Sequence, residues 1–492
     1  MFRAIILTAC GTCAMASTMA QAPLCVDTTF QVPFTHREID GFDFMPDGRI
    51  LVAGGMSQGP PAVTGLSRLL PDGTIDPTFG PNYILRSADV RVRNGEFYFA
   101  SIGATGVRRF FIVDGTIDYS YGLVYPEFST SHRSDFHTFA NGKQWRTGSY
   151  SKQFYDDEGQ QIGNEQGYGL IQVLADGSVD PAFDHKRTMP GSLAAIQETP
   201  DGRFLISSSV GTQYEGRSVG GVLRVWPDGH LDTTFQSTIS WGSISRNFYF
   251  YPDGRMLVFG RMMAPEYPND TLAVMRLNPD GSTDTTWPSI PFLSYTYFRG
   301  FATITDHLEV EPGKLIVVGD FNAIGDQPMG AIAAIDTSGN VLWDYLPGTG
   351  AGFFDDPWLN GNDRYLFKIK QAPDGYIYIC GKYAGFNDGC GDHPEQKFIT
   401  RLYPLNVGVK EHSAERGIRV YPNPGSDKMN VSFEGPETYT VSIQDLQGRA
   451  VLERVIGSGT APIDVSSLSQ GMYTVLFIGA NGERSTTKWI KQ

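Results

Sequence analysis

The side chains of this sequence best suited to chemistry are acidic residues in turns and loops. Two loops carry oxygen ligands at close spacing: Asp355, Asp356, Asn360, Asn362 and Asp363 in the first, and Asn387, Asp388 and Asp392 in the second. Calcium takes about six to eight oxygen ligands, and neither loop has the spacing of a defined calcium motif. No HExxH motif is present. We therefore expect no catalytic residues and no cofactor, with calcium as the one metal worth considering.

Aromatic residues are the second kind of candidate. The long insertion 346–366 carries Phe353, Phe354 and Trp358. An exposed aromatic ring offers a flat, electron-rich face on which a sugar ring could stack. The three rings could equally be core residues, so both interpretations stay open. Together with the insertion 145–168, this segment supplies the contact loops that we expect for a ligand.

Three cysteines could form a disulfide. Cys10 and Cys13 lie in the apolar N-terminal segment, which leaves Cys25, Cys380 and Cys390 in the mature chain. An oxidising compartment permits one disulfide and leaves one free thiol. Cys380–Cys390 is the simplest pairing, and Cys25 competes with it because the repeat described below brings Cys25 to the same region.

An internal repeat provides the elements that position these residues. The first motif is a Gly-containing turn followed by an apolar strand, with turn glycines at Gly48, Gly95, Gly142, Gly202, Gly254, Gly313 and Gly375. The second motif is a strand, a turn, then an Asp and an aromatic residue, as in 69–79, 173–183, 225–235 and 277–287. Pro fixes φ, Asp bonds the turn through its side chain, and Gly takes the positive φ. Each motif therefore predicts a hairpin, and the Asp residues serve as turn elements.

Two hairpins per repeat indicate a four-stranded antiparallel sheet. Strands such as 49–55 are nearly continuous apolar runs, so both of their faces must be covered. Sheets packed radially meet this requirement, which favours an all-β fold with a β-propeller. The turn glycines predict seven blades, while the worn stretch 82–170 leaves six or eight open.

The two ends of the repeat region predict that the ring is closed. Residues 25–30, CVDTTF, match the tail of the second motif, and the last unit stops at about residue 406 without that tail. We expect residues 25–30 to complete the last blade, because closure removes an exposed sheet edge. The repeats resemble the delta-60 family of bacterial surface and secreted proteins, most closely at GDFNAIGDQPMGAIAAID (319–336). That resemblance implies a propeller-like scaffold and no specific activity.

The last 75 residues form a separate module. After the polar stretch 407–417 come several short strand-like runs, which predict a small β-sandwich. The module resembles the type A sorting domain of the type IX secretion system of Bacteroidetes through VYPNP at 420–424, VSIQDLQGRAVLE at 441–453, IDVSSLSQGMYTV at 463–475 and the terminal KWIKQ. The resemblance implies recognition by that secretion machinery, followed by release or attachment at the cell surface.

Candidate sorting residues follow from the same motifs. They are Tyr421, Pro422, Asn423, Pro424, Gly471, Tyr473 and Lys488. We expect the prolines to stiffen the start of the module and Gly471 to supply a turn. The expected organisation is a signal peptide at 1–20, the propeller at 21–406, a linker at 407–417 and the sorting domain at 418–492.

The N-terminus and the net charge predict the compartment and exclude some partners. A basic residue, an apolar run and small residues up to Ala20 are typical of a signal peptide, and no apolar run is long enough to span a bilayer. The net charge of −14 argues against a nucleic-acid partner. We expect a binding or structural protein that passes through the periplasm and is secreted or displayed on the cell surface. Its ligand would be a glycan, a peptide or another surface protein, and a purely architectural role at the cell surface stays open. The alternative is a hydrolase of polysaccharide or peptide at the channel mouth, which carboxylates about 5–9 Å apart would favour.

Overall fold

The computed structural model divides the chain into two compact units at residue 405. It describes residues 24–35, 37–57, 64–80, 88–93, 96–101, 107–121, 135–156, 158, 160–180, 182–183, 193–208, 213–240, 244–294, 301–356, 361–404, 419–433, 438–445, 449–457, 459–479 and 484–492. The expected signal peptide at 1–20 and linker at 407–417 lie outside these residues and stay predictions.

In the described part of the first unit the regular elements are almost all β-strands, and a short 3-10 turn lies at Trp343–Tyr345. The strands are β1 (Ile39–Phe44), β2 (Ile50–Met56), β3 (Thr64–Leu69), β4 (Ala88–Arg93), β5 (Glu96–Ser101), β6 (Val107–Phe111), β7 (Phe136–Thr138), β8 (Gln144–Tyr155), β9 (Gln161–Val173), β10 (Leu193–Glu198), β11 (Phe204–Ser208), β12 (Gln213–Tyr214), β13 (Arg217–Ser218), β14 (Val222–Val225), β15 (Ile244–Phe250), β16 (Met256–Met262), β17 (Leu272–Leu277), β18 (Phe292–Leu293), β19 (Thr303–Glu311), β20 (Lys314–Asp320), β21 (Ala323–Ile324), β22 (Gln327–Pro328), β23 (Ile332–Asp336), β24 (Gly350–Ala351), β25 (Phe354–Asp356), β26 (Gly361–Asp363), β27 (Tyr365–Gln371), β28 (Ile377–Asn387) and β29 (Asp392–Leu402).

Seven antiparallel sheets in the described part of this unit form the blades of a β-propeller. In chain order they are β1-β2-β3, β4-β5-β6, β7-β8-β9, β10-β11-β14, β15-β16-β17, β19-β20-β23 and β27-β28-β29. The expected all-β propeller is confirmed. Each sheet has three full strands, and the expected fourth strand is reduced to a single bridge such as Leu69–Ile75. The repeat Asp causes this, because the Asp76 carboxylate accepts from the Thr78 N–H and turns the chain away from the sheet.

Both kinds of predicted turn lie at one end of each blade, which we call the turn end. The antiparallel pairing places the β1–β2 turn beside the turn after β3, and a Cβ added to Gly48 would lie 3.9 Å from Pro71. Gly48 has a φ of +85°, which explains the glycine of the motif. The opposite end, the loop end, carries the β2–β3 type loops and the segments that enter each first strand.

The hydrophobic core lies between consecutive blades. One cluster joins Ile39, Phe42 and Val52 of blade 1 to Tyr378 and Phe398 of blade 7, so the first and last blades pack together. The closed ring that the sequence predicts is therefore present. Covering both faces of each sheet in this way accounts for the continuous apolar strands.

The N-terminal segment completes the last blade as expected. Val26 bridges Leu402 in antiparallel register, and Asp27 N–H donates to the Arg401 carbonyl at 2.9 Å. The segment 24–30 therefore completes the sheet that β29 leaves open, and this closes the ring.

The disulfide joins Cys25 to Cys390, so the simplest pairing, Cys380–Cys390, is wrong. The Cα atoms of Cys25 and Cys390 lie 5.9 Å apart. Cys390 follows β28 at the tip of its hairpin, whereas Cys380 points into the core between blades 7 and 1 and is fully buried. Burial raises the pKa of the Cys380 thiol well above its usual value.

The second unit is a two-sheet sandwich. Its strands are β30 (Arg419–Tyr421), β31 (Lys428–Phe433), β32 (Tyr439–Gln444), β33 (Ala450–Ile456), β34 (Gly459–Asp464), β35 (Gly471–Gly479) and β36 (Arg484–Lys491). The sheets run β30-β31-β34 and β33-β32-β35-β36 and enclose a core that includes Val431, Val441 and Trp489. The small C-terminal β-sandwich is confirmed.

Candidate binding surfaces and the central channel

The first strands of the seven blades converge on a central channel. Seven residues hold the same register in these strands: Gly41, Asp89, Asp135, Ala195, Asn247, Asp306 and Lys368. The Lys368 ammonium bonds the Asp89 carboxylate at 2.5 Å. This bond joins blade 7 to blade 2, so it links two blades that are not neighbours in the ring.

Cations neutralise the carboxylates at this level of the channel. Arg91 pairs with both Asp89 and Asp135, and Lys370 pairs with Asp43 across the boundary between blades 7 and 1. Burial alone would raise the pKa of Asp89, but the charges of Lys368 and Arg91 outweigh it and hold that pKa at about 2. Asp89 is therefore a fixed anion in an ion-pair network and is poorly suited to proton transfer.

The carboxyl of Asp306 also lies at the channel, but its pKa is raised, whereas that of Asp89 is lowered. Burial raises the pKa of Asp306 to about 6. Its oxygens accept hydrogen bonds from the Asn247 amide at 2.6 Å, the His307 N–H at 2.9 Å and the Ile369 N–H at 3.1 Å. These contacts fasten blade 6 to blades 5 and 7, so the carboxyl joins three blades at the channel wall.

The repeat Asp residues are structural, as the sequence indicates, and their partner is an Arg that the sequence analysis missed. In blade 4, Arg224 donates to Asp232 at 2.7 Å and to Thr234, and Asp232 is 1% exposed. The third nitrogen of Arg224 donates to the Pro279 carbonyl in blade 5, so the guanidinium also ties two blades together. The sequence does contain a signal for this pairing, which is a constant spacing. The Arg precedes its Asp by eight residues in three copies: Arg68–Asp76, Arg224–Asp232 and Arg276–Asp284.

Phe353 forms an exposed aromatic platform at the loop end. Its side chain is 45% exposed, and its ring lies 4.2 Å from the guanidinium carbon of Arg364. Arg364 is itself buried and is fixed by hydrogen bonds to the Ala351 carbonyl at 2.9 Å and to Asn322 at 3.0 Å. Burial lowers the pKa of Arg364 to about 10, which leaves the cation beneath the ring charged at neutral pH. A ring held on a fixed cation is preorganised to stack on a ligand.

The other two aromatic candidates do not join this platform. Phe354 is 8% exposed and packs on Phe398 at 5.2 Å in the core, so its assignment as a ligand contact is wrong. Strand alternation explains the difference, because neighbouring residues of β25 and its approach point to opposite faces. Trp358 lies outside the described residues.

The two acidic loops differ in what their carboxylates do, and in the second loop Asp388 serves the protein's own hydrogen bonds. Asp388 is fully buried and accepts from the Val26, Cys390 and Gly391 N–H groups at 2.6–2.8 Å. In the first loop, Asp355 and Asn362 face each other across the β25–β26 hairpin, and Asn360 lies outside the described residues. The one cluster of potential metal ligands found among the described residues is Cys25, Asp388 and Cys390, whose sulfurs are joined in the disulfide.

The sorting candidates of the second unit gather at its last strand. Asn423 donates to the Lys488 carbonyl at 2.8 Å and accepts from the Ile490 N–H at 3.0 Å. The Trp489 indole N–H donates to the Pro422 carbonyl at 2.8 Å. Both prolines follow cis peptide bonds. The YPNP segment therefore lies along the C-terminal strand, which the sequence motifs alone did not reveal.

The remaining sorting candidates are spread over the same sheet. Gly471 opens β35 opposite Lys491, and the Tyr473 hydroxyl donates to the Ser469 carbonyl at 2.8 Å beside the buried Trp489. Tyr421 and Lys488 have exposed side chains. Gly471 and Tyr473 thus shape the sandwich, whereas Tyr421, Asn423 and Lys488 are accessible to a partner.

Comparison with known families assigns both units. Residues 419–492 match the family described as "Secretion system C-terminal sorting domain". Residues 46–79, 199–235 and 252–286 match the family described as "Domain of unknown function (DUF5122) beta-propeller". The chain therefore carries a β-propeller and a type IX sorting domain, and the predicted export by type IX secretion to the cell surface or the outside is confirmed.

Solved structures resemble the chain only distantly. The extracellular domain of BT4673 from B. thetaiotaomicron has a TM-score of 0.40 and 11% identity, over 92% of this chain and 56% of that one. PorZ, a surface component of the type IX secretion system of Porphyromonas gingivalis, has a TM-score of 0.27 and 11% identity, over 92% and 81%. A DUF4623 family protein from Bacteroides eggerthii has a TM-score of 0.29 and 10% identity, over 77% and 72%. The chain spans little more than half of the BT4673 domain.

The comparison with curated proteins gives no match. Among the described residues there is no helix with the length and apolar character needed to cross a membrane.

Proposed function

We propose that the protein is a non-catalytic binding protein outside the cell, and that it takes a glycan on the Phe353 platform at the loop end. The observation that carries the proposal is the exposed Phe353 ring, held 4.2 Å above a buried Arg364. A sugar presents an apolar C–H face to such a ring, and its hydroxyls need polar partners nearby. Exposed Asp355 and Asn362 lie on the adjoining hairpin and can accept or donate those hydrogen bonds.

Binding is favoured over hydrolysis by the state of the channel carboxylates. A glycosidase needs two carboxyl groups that face one substrate, one as acid and one as base or nucleophile. Here Asp89, Asp135 and Asp43 are paired with Arg or Lys, and Asp306 is bonded to the backbone of two blades. Releasing any of them would break contacts between blades, so these groups are better suited to holding the ring.

The test is a glycan-array screen of the mature protein, followed by titration of the best glycan against Phe353→Ala. Loss of one stacking contact of roughly 1–2 kcal/mol predicts a roughly tenfold weaker Kd. Trp343→Ala is the matched control, because Trp343 is also exposed, at 42%, but lies in the turn before blade 7. Equal affinity of Phe353→Ala and wild type for every bound glycan would contradict the assignment of this platform.

A further inference from the structure

A second exposed aromatic ring lies at the loop end, on the blade next to the Phe353 platform. Phe301 stands two residues before β19, the first strand of blade 6, and its side chain is 51% exposed. Its ring lies 5.9 Å from the guanidinium carbon of Arg261 in blade 5. Arg261 pairs with Ile244 at the loop end of β15 and β16, so the ring and its cation occupy the boundary between blades 5 and 6. Phe301 and Phe353 therefore share one arrangement, a solvent-facing ring beside an arginine.

The Phe353 platform occupies the next boundary between blades. Arg364, the cation beneath Phe353, stands before β27 in blade 7 and donates to the Asn322 amide oxygen of blade 6 at 3.0 Å. Blade 6 thus has an exposed ring at each of its two boundaries. Because facing β-sheets pack about 10 Å apart, the two rings are separated by about the thickness of one blade.

Asn322 links the two rings. Thr303 pairs with Asp320 at the loop end of β19 and β20, and Phe301 and Asn322 each lie two residues beyond that pair. Two residues span at most about 7 Å, so the Cα atoms of Phe301 and Asn322 lie within about 20 Å of each other. Asn322 in turn bonds the cation that carries Phe353. The three groups are close enough for one extended molecule to contact all of them.

The Asn322 side chain offers a hydrogen-bond donor between the rings. A guanidinium only donates, so the Asn322 atom that faces Arg364 is the amide oxygen, and this bond fixes the orientation of the amide. The Nδ2 group has no hydrogen-bond partner within the described residues, and the side chain is half-buried. It can therefore donate to a hydroxyl of a ligand that lies across blade 6.

These features fit a chain of sugars better than a single sugar. A sugar that stacks on one aromatic ring covers that ring only, and it cannot reach across a blade to the second ring. A linear oligosaccharide repeats its apolar C–H faces along its length and carries hydroxyls between them. Two stacking contacts on one molecule also reinforce each other, because binding at the first ring raises the local concentration of the chain at the second.

We propose that the glycan of the Phe353 platform is a linear oligosaccharide that crosses blade 6 from Phe353 to Phe301. This inference rests on the proposed function and extends its site by a second stacking position. One sugar stacks on Phe353, and a sugar farther along the chain stacks on Phe301. A hydroxyl between them accepts a hydrogen bond from the Asn322 Nδ2 group.

The test is isothermal titration calorimetry of the mature protein with cellohexaose, laminarihexaose, mannohexaose and hexagalacturonic acid, and with the disaccharide of each series. We expect a hexasaccharide that binds to have a Kd at least about tenfold lower than its disaccharide, which reaches one ring only. Phe301→Ala should weaken binding of that hexasaccharide roughly tenfold and change the Kd of the disaccharide by no more than about twofold. Phe353→Ala should weaken binding of both.

Two further variants separate the loss of the ring from other effects. Phe301→Trp keeps an aromatic ring at this position and should bind the hexasaccharide as wild type does. Tyr119→Ala is the matched control, because it removes a ring that is 73% exposed but lies at the turn end of blade 2, and it should leave binding unchanged.

The outcomes distinguish this proposal from the one on which it rests. Equal affinity for hexasaccharide and disaccharide, or unchanged hexasaccharide binding in Phe301→Ala, would overturn the second stacking position and leave the Phe353 platform standing. Hexasaccharide binding that Phe353→Ala does not weaken would instead overturn the proposed function. If none of the four hexasaccharides binds, the linear oligosaccharide is wrong, and the glycan array decides the Phe353 platform separately.

Discussion

The propeller and the sorting domain each seat a short N-terminal segment beside their own last strand. In the propeller, Val26 bridges Leu402 in antiparallel register. In the sorting domain, Gly425 bridges Lys491 in parallel register. Both units thus join their beginning to their end, but they do so with different chemistry.

The propeller closes with a buried ion pair and a covalent bond, whereas the sorting domain closes with neutral hydrogen bonds and an ion pair between Lys491 and the exposed Asp427 at 3.0 Å. Asp27 is 2% exposed and pairs with Arg401 at 2.7 Å, while Cys25 is bonded to Cys390. Asn423 is exposed and holds β36 through amide hydrogen bonds alone. Closure spans 374 residues in one unit and 67 in the other, which differ by only about 1.5 kcal/mol in loop entropy. Chain length therefore does not account for the disulfide and the buried ion pair of the propeller.

The largest effect is expected when the sorting domain is removed from the propeller. Deleting 418–492 should leave a folded propeller, since its closure uses only its own residues, but should retain it in the periplasm because the sorting domain is gone. Cell fractionation with immunoblotting measures this. Surface delivery of the truncated protein at the wild-type level would contradict the sorting role, and a protease-sensitive propeller would contradict self-contained closure.

Asp27→Ala and Asp232→Ala compare the closing blade with an ordinary one. Each removes the partner of a buried arginine, Arg401 or Arg224, and each should cost about 3–5 kcal/mol of unfolding free energy. Urea unfolding of the mature protein measures the cost. Asp176→Ala is the control: it removes exposed hydrogen bonds to Ser178 and no buried ion pair, so it should cost no more than about 1 kcal/mol. A far smaller effect for Asp27→Ala would mean that blade 7 is not part of the cooperative unit.

Removing the disulfide tests the covalent part of the propeller's closure. Replacing both Cys25 and Cys390 by Ser should lower the unfolding free energy by about 2–5 kcal/mol, because the cross-link restricts the unfolded chain. Reducing agent should destabilise wild type by the same amount and leave the double variant unchanged. A Cys380→Ala variant should still respond to the reductant. Its failure to respond would mean that Cys380 is a disulfide partner.

Two neighbouring groups, Asp306 and His307, make the stability of the propeller depend on pH in opposite directions. Burial raises the pKa of Asp306 to about 6, so its contribution to stability is lost as pH rises from about 4 to 6. Burial lowers the pKa of His307 to about 4, so its contribution is lost as pH falls from 6.5 towards 4. The two slopes oppose each other in wild type.

Asp306→Asn should reveal the pH dependence of the unfolding free energy that His307 causes. Relative to wild type, its unfolding free energy should fall by roughly 2–3 kcal/mol more between pH 6.5 and pH 4. His307→Phe, which keeps a ring against Phe259, should show the opposite slope. Urea titrations at a series of pH values measure both, and parallel profiles for all three proteins would contradict the shifts.

The smallest expected effect concerns the hydrogen bonds that hold the YPNP segment against β36. Asn423→Ala removes two hydrogen bonds to β36 and should reduce local stability by about 1–2 kcal/mol. Hydrogen exchange at the Ile490 amide in the full chain should show it as faster exchange. Tyr421→Ala changes a neighbouring exposed side chain and serves as the control. Unchanged exchange at Ile490 in Asn423→Ala would mean that the YPNP segment does not hold the strand.

Local patterns predicted most of the fold. Pro-Asp-Gly turns and apolar strands gave seven sheets, because turn geometry and strand burial are properties of a few neighbouring residues. The Asp-Thr-Thr-Phe segment at 27–30 predicted closure because it completes a repeat whose other copies are visible in the chain. The sorting motifs predicted export in the same way.

The candidate sites were predicted less well because they depend on distant partners. Nothing local distinguishes Phe353 from Phe354, yet only one of them lies over Arg364.

By itself, then, the amino-acid sequence determined the repeating hairpins, the closing segment and the sorting tail. The tertiary structure alone decided that Cys25 pairs with Cys390, that in three repeats the Asp is clamped by an Arg eight residues earlier, and that Lys368 of blade 7 pairs with Asp89 of blade 2. The physical reason is that turns and strand pairing arise from neighbouring residues, whereas burial and pairing of charges depend on which blades the closed ring brings together.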